Sequence, residues 1–171
     1  MRDAGLHGKI ALVTGAGGGI GAAVVRQLSE EGVRVVASDL VTPAGLDTTE
    51  RLRAEALDVR DSGAVEALVD RVEREWGPID LGVNVAGVLA TEPVADTDDA
   101  TWRNVFAVNS DGVFHVSRAL ARRMTPRRRG AMVTVGSNAA GIPRQAMAAY
   151  AASKAAATMF IAMFSAHLVV R

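Results

Sequence analysis

Eight residues, Thr14-Gly15-Ala16-Gly17-Gly18-Gly19-Ile20-Gly21, separate a short apolar run at 10–13 from the stripe Ile20, Val24 and Leu28. The run is too short for a helix and the stripe has helical spacing, so the order predicted is strand, glycine turn, helix. Such a turn lets a backbone approach a phosphate group closely, and the following helix N-terminus offers free N–H groups and a partial positive charge. No Gly-Lys-Ser/Thr follows, which excludes a nucleoside-triphosphate P-loop. Ile20 stands where the third glycine of G-x-G-x-x-G would be. The spacing is instead G-x-x-x-G-x-G, from Gly15, Gly19 and Gly21. Taken alone, the run also suits a tight connection with no ligand.

A second strand, 34–38, ends in Asp39. In dinucleotide-binding folds an acidic residue about 20 positions beyond the glycine turn accepts hydrogen bonds from the adenosine ribose. Asp39 would repel a 2′-phosphate and no basic residue directly follows it, so NAD is expected over NADP. The alternative is a strand-ending aspartate that only starts a turn. Residues 40–53 read as an irregular connection. A short strand at 55–57 then delivers Asp58 and Val59, candidates for holding the adenine.

Asp61 or Ser62 caps a helix whose apolar positions Val65, Leu68, Val69, Val72 and Trp76 face a core. Gly77-Pro78 ends it, and a strand at 79–83 leads into Asn84-Val85-Ala86-Gly87. After an acidic loop, one long helix is expected, with Trp102, Val105, Phe106, Val113 and Val116 on one stripe. Asn109 falls on that stripe, and an amide on an apolar face is either a structural tie or part of a site. Arg122, Arg123, Arg127, Arg128 and Arg129 surround Pro126 and read as a solvated loop. A fifth strand occupies 131–135.

Five strands alternating with helices predict an α/β fold, a Rossmann-like, doubly wound parallel sheet that binds ligands at the carboxyl ends of its strands. Asp39, Asp58, Asn84 and Ser137 all fall at such ends. Beyond the last strand, Tyr150 and Lys154 stand four residues apart in an alanine-rich run, on one face of a helix. An ammonium about 4 Å from a phenol favours the phenolate by about 4 kcal/mol at an effective dielectric near 20. The pair therefore suits a general base, and Ser137 is placed to hold the oxygen that such a base deprotonates. For a lone Tyr-x-x-x-Lys an ordinary surface pair is the better reading, and the residues upstream reverse it.

At 171 residues, 49% hydrophobic and 22% charged, the chain is expected to form a single globular domain. Its formal net charge of zero gives no electrostatic footprint for nucleic acid or an anionic membrane. Cysteine is absent, and His7, His115 and His167 lack the spacing of a metal site. With no signal-like segment and no membrane-length apolar run, a cytoplasmic protein is the expectation.

Together these residues resemble the classical short-chain dehydrogenase/reductases along essentially the whole chain. Thr14 to Gly21 are similar to that family's cofactor turn, and Asn84-Val85-Ala86-Gly87 to its N-N-A-G segment with valine at the second position. Asn109, Ser137, Tyr150 and Lys154 match its catalytic tetrad. The resemblance implies Tyr150 as general base and Ser137 as the group orienting the substrate oxygen. It also implies Lys154 as partner of the tyrosine and of the nicotinamide ribose, and Asn109 as support for a proton-relay water. Within the family, FAVNSDGVFHVSRA and VTVGSNAAGIPRQAMAAYAASKAA resemble the bacterial 2,3-dihydro-2,3-dihydroxybenzoate dehydrogenases of catecholate siderophore biosynthesis. That branch implies NAD and a cyclic dihydrodiol acid as substrate; Arg144, between Ser137 and Tyr150, is then a candidate partner of its carboxylate, the alternative being an exposed loop arginine. The family also implies a homo-oligomer. It continues past the point where this chain stops, so the chain is expected to lack the family's last strands and to leave strand 131–135 as an edge. Two other readings stay open: a dehydrogenase of another secondary alcohol or ketone, and a truncated, non-catalytic nucleotide-binding remnant.

Overall fold

The computed structural model describes residues 5–46 and 48–169, with side chains described through Met163. The side chains of Phe164 and His167 therefore lie outside the described residues. Five parallel strands, β1 (Ile10–Thr14), β2 (Arg34–Asp39), β3 (Leu52–Ala56), β4 (Leu81–Asn84) and β5 (Ala131–Thr134), form one sheet in the order β3-β2-β1-β4-β5. The chain steps outward from β1 to β3 and then crosses back to β4. A switch point thus opens between the ends of β1 and β4, where an open α/β sheet leaves a crevice.

Strand alternation divides the core. Ile10 and Leu12 of β1 point to the side where α2 (Ser62–Glu75) and α4 (Gly112–Arg127) pack with Val65, Leu68, Val69, Val72, Val116 and Leu120. Ala11 and Val13 point to the opposite side, toward Val25 of α1 (Gly19–Glu30). Asp61 caps α2 by accepting the N–H groups of Gly63 and Ala64 at 2.8 and 3.0 Å. Trp76 packs against the first cluster, as its spacing predicts, with the Arg34 and Arg53 guanidiniums 4.3 and 4.5 Å from its ring centroid.

Three expectations need correction. β3 begins at Leu52, not 55, because it is an edge strand and tolerates Arg53 and Glu55, which pair with Glu75 and Arg71 of α2. The long helix is three segments: α3 (Asp99–Phe106), a π turn (Ala107–Asp111) and α4. Val105, Asn109 and Val113 are buried, while Trp102, on the expected stripe, stays 42% exposed, stacked on Phe106. The arginines near Pro126 do not form a solvated loop. α4 runs through Pro126, and Arg122, Arg123 and Arg127 reach Glu66, Asp70 and Glu73 along one face of α2. Arg129 pairs with Asp80 at 2.6 Å.

Among the described residues β5 pairs only with β4, and Val133 is 59% exposed at this sheet edge. Beyond it, a short 3-10 turn (Asn138–Ala140) leads to α5 (Ala148–Val169), which packs on α3, the π turn and α4. Among the described residues, no helix is long and apolar enough to cross a membrane.

Candidate active site

A cleft of about 430 Å³ opens at the carboxyl ends of the strands, centred on the switch point. Gly15, Gly19, Ile20, Gly21, Asp39, Asp58, Val59, Ala86 and Gly87 line it, together with Gly18, Leu40, Arg60, Val88, Asn104 and Val108. Nine of the positions expected to hold a dinucleotide thus share one cavity. Asn84 does not line it. Its side chain is buried behind the end of β4 and donates to Ser117 of α4 and Thr134 of β5 at 3.2 and 3.1 Å, while its Oδ1 has no partner among the described residues.

The three motif glycines differ physically. Gly15 has φ +71°, and a Cβ there would lie 2.4 Å from the Ala86 nitrogen. A Cβ on Gly21 would lie 2.0 Å from the Gly15 carbonyl oxygen. Both glycines are required by the close approach of protein backbone to protein backbone. A Cβ on Gly19 would meet no atom within 4 Å. No described residue fills that space, and α1 starts there with no side-chain cap and no acidic residue in its first turn. The helix end is therefore bare toward the cleft, as an anion requires.

Asp39 closes the turn: its carboxylate accepts the Gly17 N–H at 2.9 Å and the Leu40 N–H at 2.7 Å. Asp58 accepts the Arg60 side chain through both oxygens at 2.7–3.0 Å, and Arg60 beside it holds that carboxyl below its ordinary range. Arg60 also donates to Asn104 of α3 at 3.1 Å. Neither Arg60 nor Asn104 was singled out in the sequence, where they stand 44 positions apart with no shared period.

The cleft continues toward α5 at Gly87. A Cβ on Gly87 would lie 3.2 Å from Asn109 Oδ1 and 3.3 Å from Lys154 Nζ. Asn109 is fully buried in the π turn. Its Oδ1 accepts the Val88 N–H at 2.8 Å, and its Nδ2 donates to the Val88 carbonyl at 2.9 Å and to Ser153 Oγ at 3.0 Å. Both amide hydrogens are engaged, so the side chain is a structural tie between the loop after β4 and α5. Ser153 extends it, donating to the Tyr150 carbonyl at 2.8 Å, and Ser110 donates to the Ser153 carbonyl at 3.0 Å.

Lys154 is 5% exposed, and its ammonium donates to the Val135 carbonyl at 3.1 Å. Its Nζ lies 6.0 Å from the centroid of the half-buried Tyr150 ring. Burial pushes its proton affinity down from the usual lysine range. Ser137, three residues beyond β5, accepts the Ala139 N–H at 3.2 Å, which occupies one lone pair and leaves its hydroxyl hydrogen free to donate. Arg144 is exposed in the loop before α5 and forms no ion pair among the described residues. The structure thus brings Asn109, Tyr150 and Lys154 into one packed unit beside the cleft, with Arg144 outside it.

Residues 9–170 match the family model described as short chain dehydrogenase, and the chain belongs to that family. Among its relatives, the 2,3-dihydro-2,3-dihydroxybenzoate dehydrogenase of Bacillus subtilis is 50% identical over 94% of this chain and 64% of its own length. The D-threitol dehydrogenase of Mycolicibacterium smegmatis is 37% identical over 89% of this chain and 61% of its own. The 5-keto-D-gluconate 5-reductase of Escherichia coli is 32% identical over 90% of this chain and 63% of its own. The ligand-free aldohexose dehydrogenase of Thermoplasma acidophilum superposes with a TM-score of 0.89 at 26% identity, covering 97% of this chain and 64% of that one. The chain therefore spans a little under two thirds of the length of these relatives.

Proposed function

We propose that the chain carries the cofactor cleft and catalytic residues of an NAD-dependent dehydrogenase that oxidises 2,3-dihydro-2,3-dihydroxybenzoate to 2,3-dihydroxybenzoate, a step of catecholate siderophore formation. The observation that carries the reading is the junction at Gly87, where a cleft shaped for a dinucleotide meets the helix bearing Tyr150 and Lys154. The relative of the same activity, identical at half its aligned positions, supports the choice of substrate.

The residues present fit a dinucleotide. The open space over Gly19 and the bare start of α1 suit its pyrophosphate, Asp39 its adenosine ribose, and the apolar side chains of Ile20, Leu40 and Val59 an adenine. Asp39 carries a negative charge where a 2′-phosphate would be, which favours NAD over NADP. When bound, the nicotinamide supplies a hydride acceptor. The rest falls to this chain. Tyr150, as phenolate, takes the proton of the substrate hydroxyl while hydride leaves the carbon bearing that hydroxyl. The Ser137 hydroxyl donates to the same oxygen and orients it. Lys154, fixed on the Val135 carbonyl and held in low dielectric, favours the phenolate with its positive charge. The ketone formed tautomerises to the aromatic diol. Arg144, exposed and without an ion pair among the described residues, is the candidate to receive the substrate carboxylate, whose two oxygens match a bidentate guanidinium fork.

The test is NADH absorbance on mixing the 171-residue chain with NAD and 2,3-dihydro-2,3-dihydroxybenzoate, with Tyr150→Phe as control. NADH formation that the substitution abolishes is the expected result. Turnover of threitol or another secondary alcohol in preference to the diol acid would replace the substrate. NAD binding without turnover of any alcohol would favour a non-catalytic nucleotide-binding remnant.

A further inference from the structure

Arg60 stands two residues beyond Asp58 on the segment that leaves β3, and its guanidinium lies across the wall of the cleft. Its Nε donates to both oxygens of Asp58 at 2.9 and 3.0 Å, its Nη2 to Oδ2 at 2.7 Å, and its backbone N–H to Oδ1 at 2.9 Å. The remaining branch, Nη1, donates to Asn104 Oδ1 at 3.1 Å. Arg60, Asp58 and Asn104 all line the cavity that holds the glycine turn. The guanidinium therefore joins the β3 side of the cleft to α3.

The charges sharpen the point. Two carboxylates, Asp39 and Asp58, line this cleft, and Arg60 is the one cation among its described lining residues. Among the described residues Asp39 is met only by backbone N–H groups, of Gly17 and Leu40. A dinucleotide brings a doubly negative pyrophosphate into the same space. Unopposed, the Asp58 carboxylate would repel it. Paired through a bidentate fork, it keeps its direction and loses its net charge.

We propose that Arg60 is a positioning residue for the adenosine end of the cofactor, neutralising Asp58 and bracing it, through Asn104, against α3. The proposal rests on the reading of this cleft as a dinucleotide site. It assigns the guanidinium to Asp58 and Asn104, which each of its three nitrogens already serves, rather than to a 2′-phosphate.

Calorimetric titration of the 171-residue chain with NAD, NADP and ADP-ribose tests it. Arg60→Ala is expected to weaken NAD and ADP-ribose by about fivefold, the upper range for a partly exposed charge pair. Adding Asp58→Asn to Arg60→Ala removes the uncompensated charge while keeping an acceptor oxygen, and is expected to restore NAD affinity to within about twofold. A merely structural arginine would not be rescued by that second change. Unchanged NAD affinity in Arg60→Ala, failure of the rescue, or a loss confined to NADP would each overturn the proposal. An unsubstituted chain that binds neither NAD nor ADP-ribose would remove the dinucleotide reading itself, a distinct result.

Discussion

Alanine at Gly21 is expected to damage the fold, and alanine at Gly19 only the ligand site. A Cβ on Gly21 would lie 2.0 Å from the Gly15 oxygen, 2.7 Å from its carbonyl carbon and 2.8 Å from the Ala16 Cα. All three atoms are backbone, so no side chain can rotate away, and the start of α1 must move by roughly an ångström to recover ordinary contact. Overpacking of that kind costs about 1–3 kcal/mol, and the absence of any flexible neighbour puts this site near the upper figure. For a chain of this length each kcal/mol lowers the melting midpoint by about 2–4 °C, so Gly21→Ala should melt roughly 6–12 °C lower. Gly19 meets nothing within 4 Å, and alanine there gains helix propensity of up to about 1 kcal/mol. Its methyl group would occupy the space offered to the pyrophosphate, so NAD affinity should fall by about tenfold or more with the midpoint unchanged or higher. Circular-dichroism melts and NAD titration of the two variants separate the effects. Equal loss of stability in both, or full NAD affinity in Gly19→Ala, would refute the assignment of one glycine to packing and the other to the ligand.

Ser153→Ala leaves a buried hydrogen of Asn109 Nδ2 without an acceptor, a cost of about 1–3 kcal/mol, and frees the turn that carries Tyr150. Steady-state kinetics should show a lower kcat with little change in KM for NAD, and an unchanged kcat would separate this tie from the chemistry. Lys154 gives a pH signature. An unfolded lysine keeps its proton up to 10.5, whereas burial makes the folded one release it at lower pH. Between those two values the unfolded state binds more protons, so this group makes stability rise with pH in the window just below 10.5. Denaturant titrations across that window should show the rise in the unsubstituted chain and lose it in Lys154→Met.

The parts of the fold legible in the sequence are those governed by a local period. The glycine turn, the strand ending at Asp39 and the α2 stripe from Val65 to Val72 each declare themselves within a few residues, since backbone sterics and amphipathic spacing act at that range. β3 hid its start because an edge strand needs no apolar alternation, and Arg53 and Glu55 look like loop residues until Glu75 and Arg71 are placed beside them. The arginines around Pro126 misled for the same reason. Their partners Glu66, Asp70 and Glu73 form a face of a different helix, more than 50 positions away. Arg60 sits next to a residue that was singled out, yet its role depends on Asn104 across the cleft.

Asn109 shows why a site is harder to read than a fold. Its position on an apolar stripe left two alternatives, a structural tie or a functional residue, and the geometry shows that the tie is what builds the site. Through Val88 it fixes the loop that floors the cleft at Gly87, and through Ser153 it fixes the turn of α5 that carries Tyr150 and Lys154. The backbone is irregular at the same place: Asn109 is buried within the π turn, while α3 and α4 continue on either side. The cleft and the Tyr150 helix are thus tied through one amide whose partners lie 21 positions upstream and 44 downstream, beyond any window over which periodicity can be read.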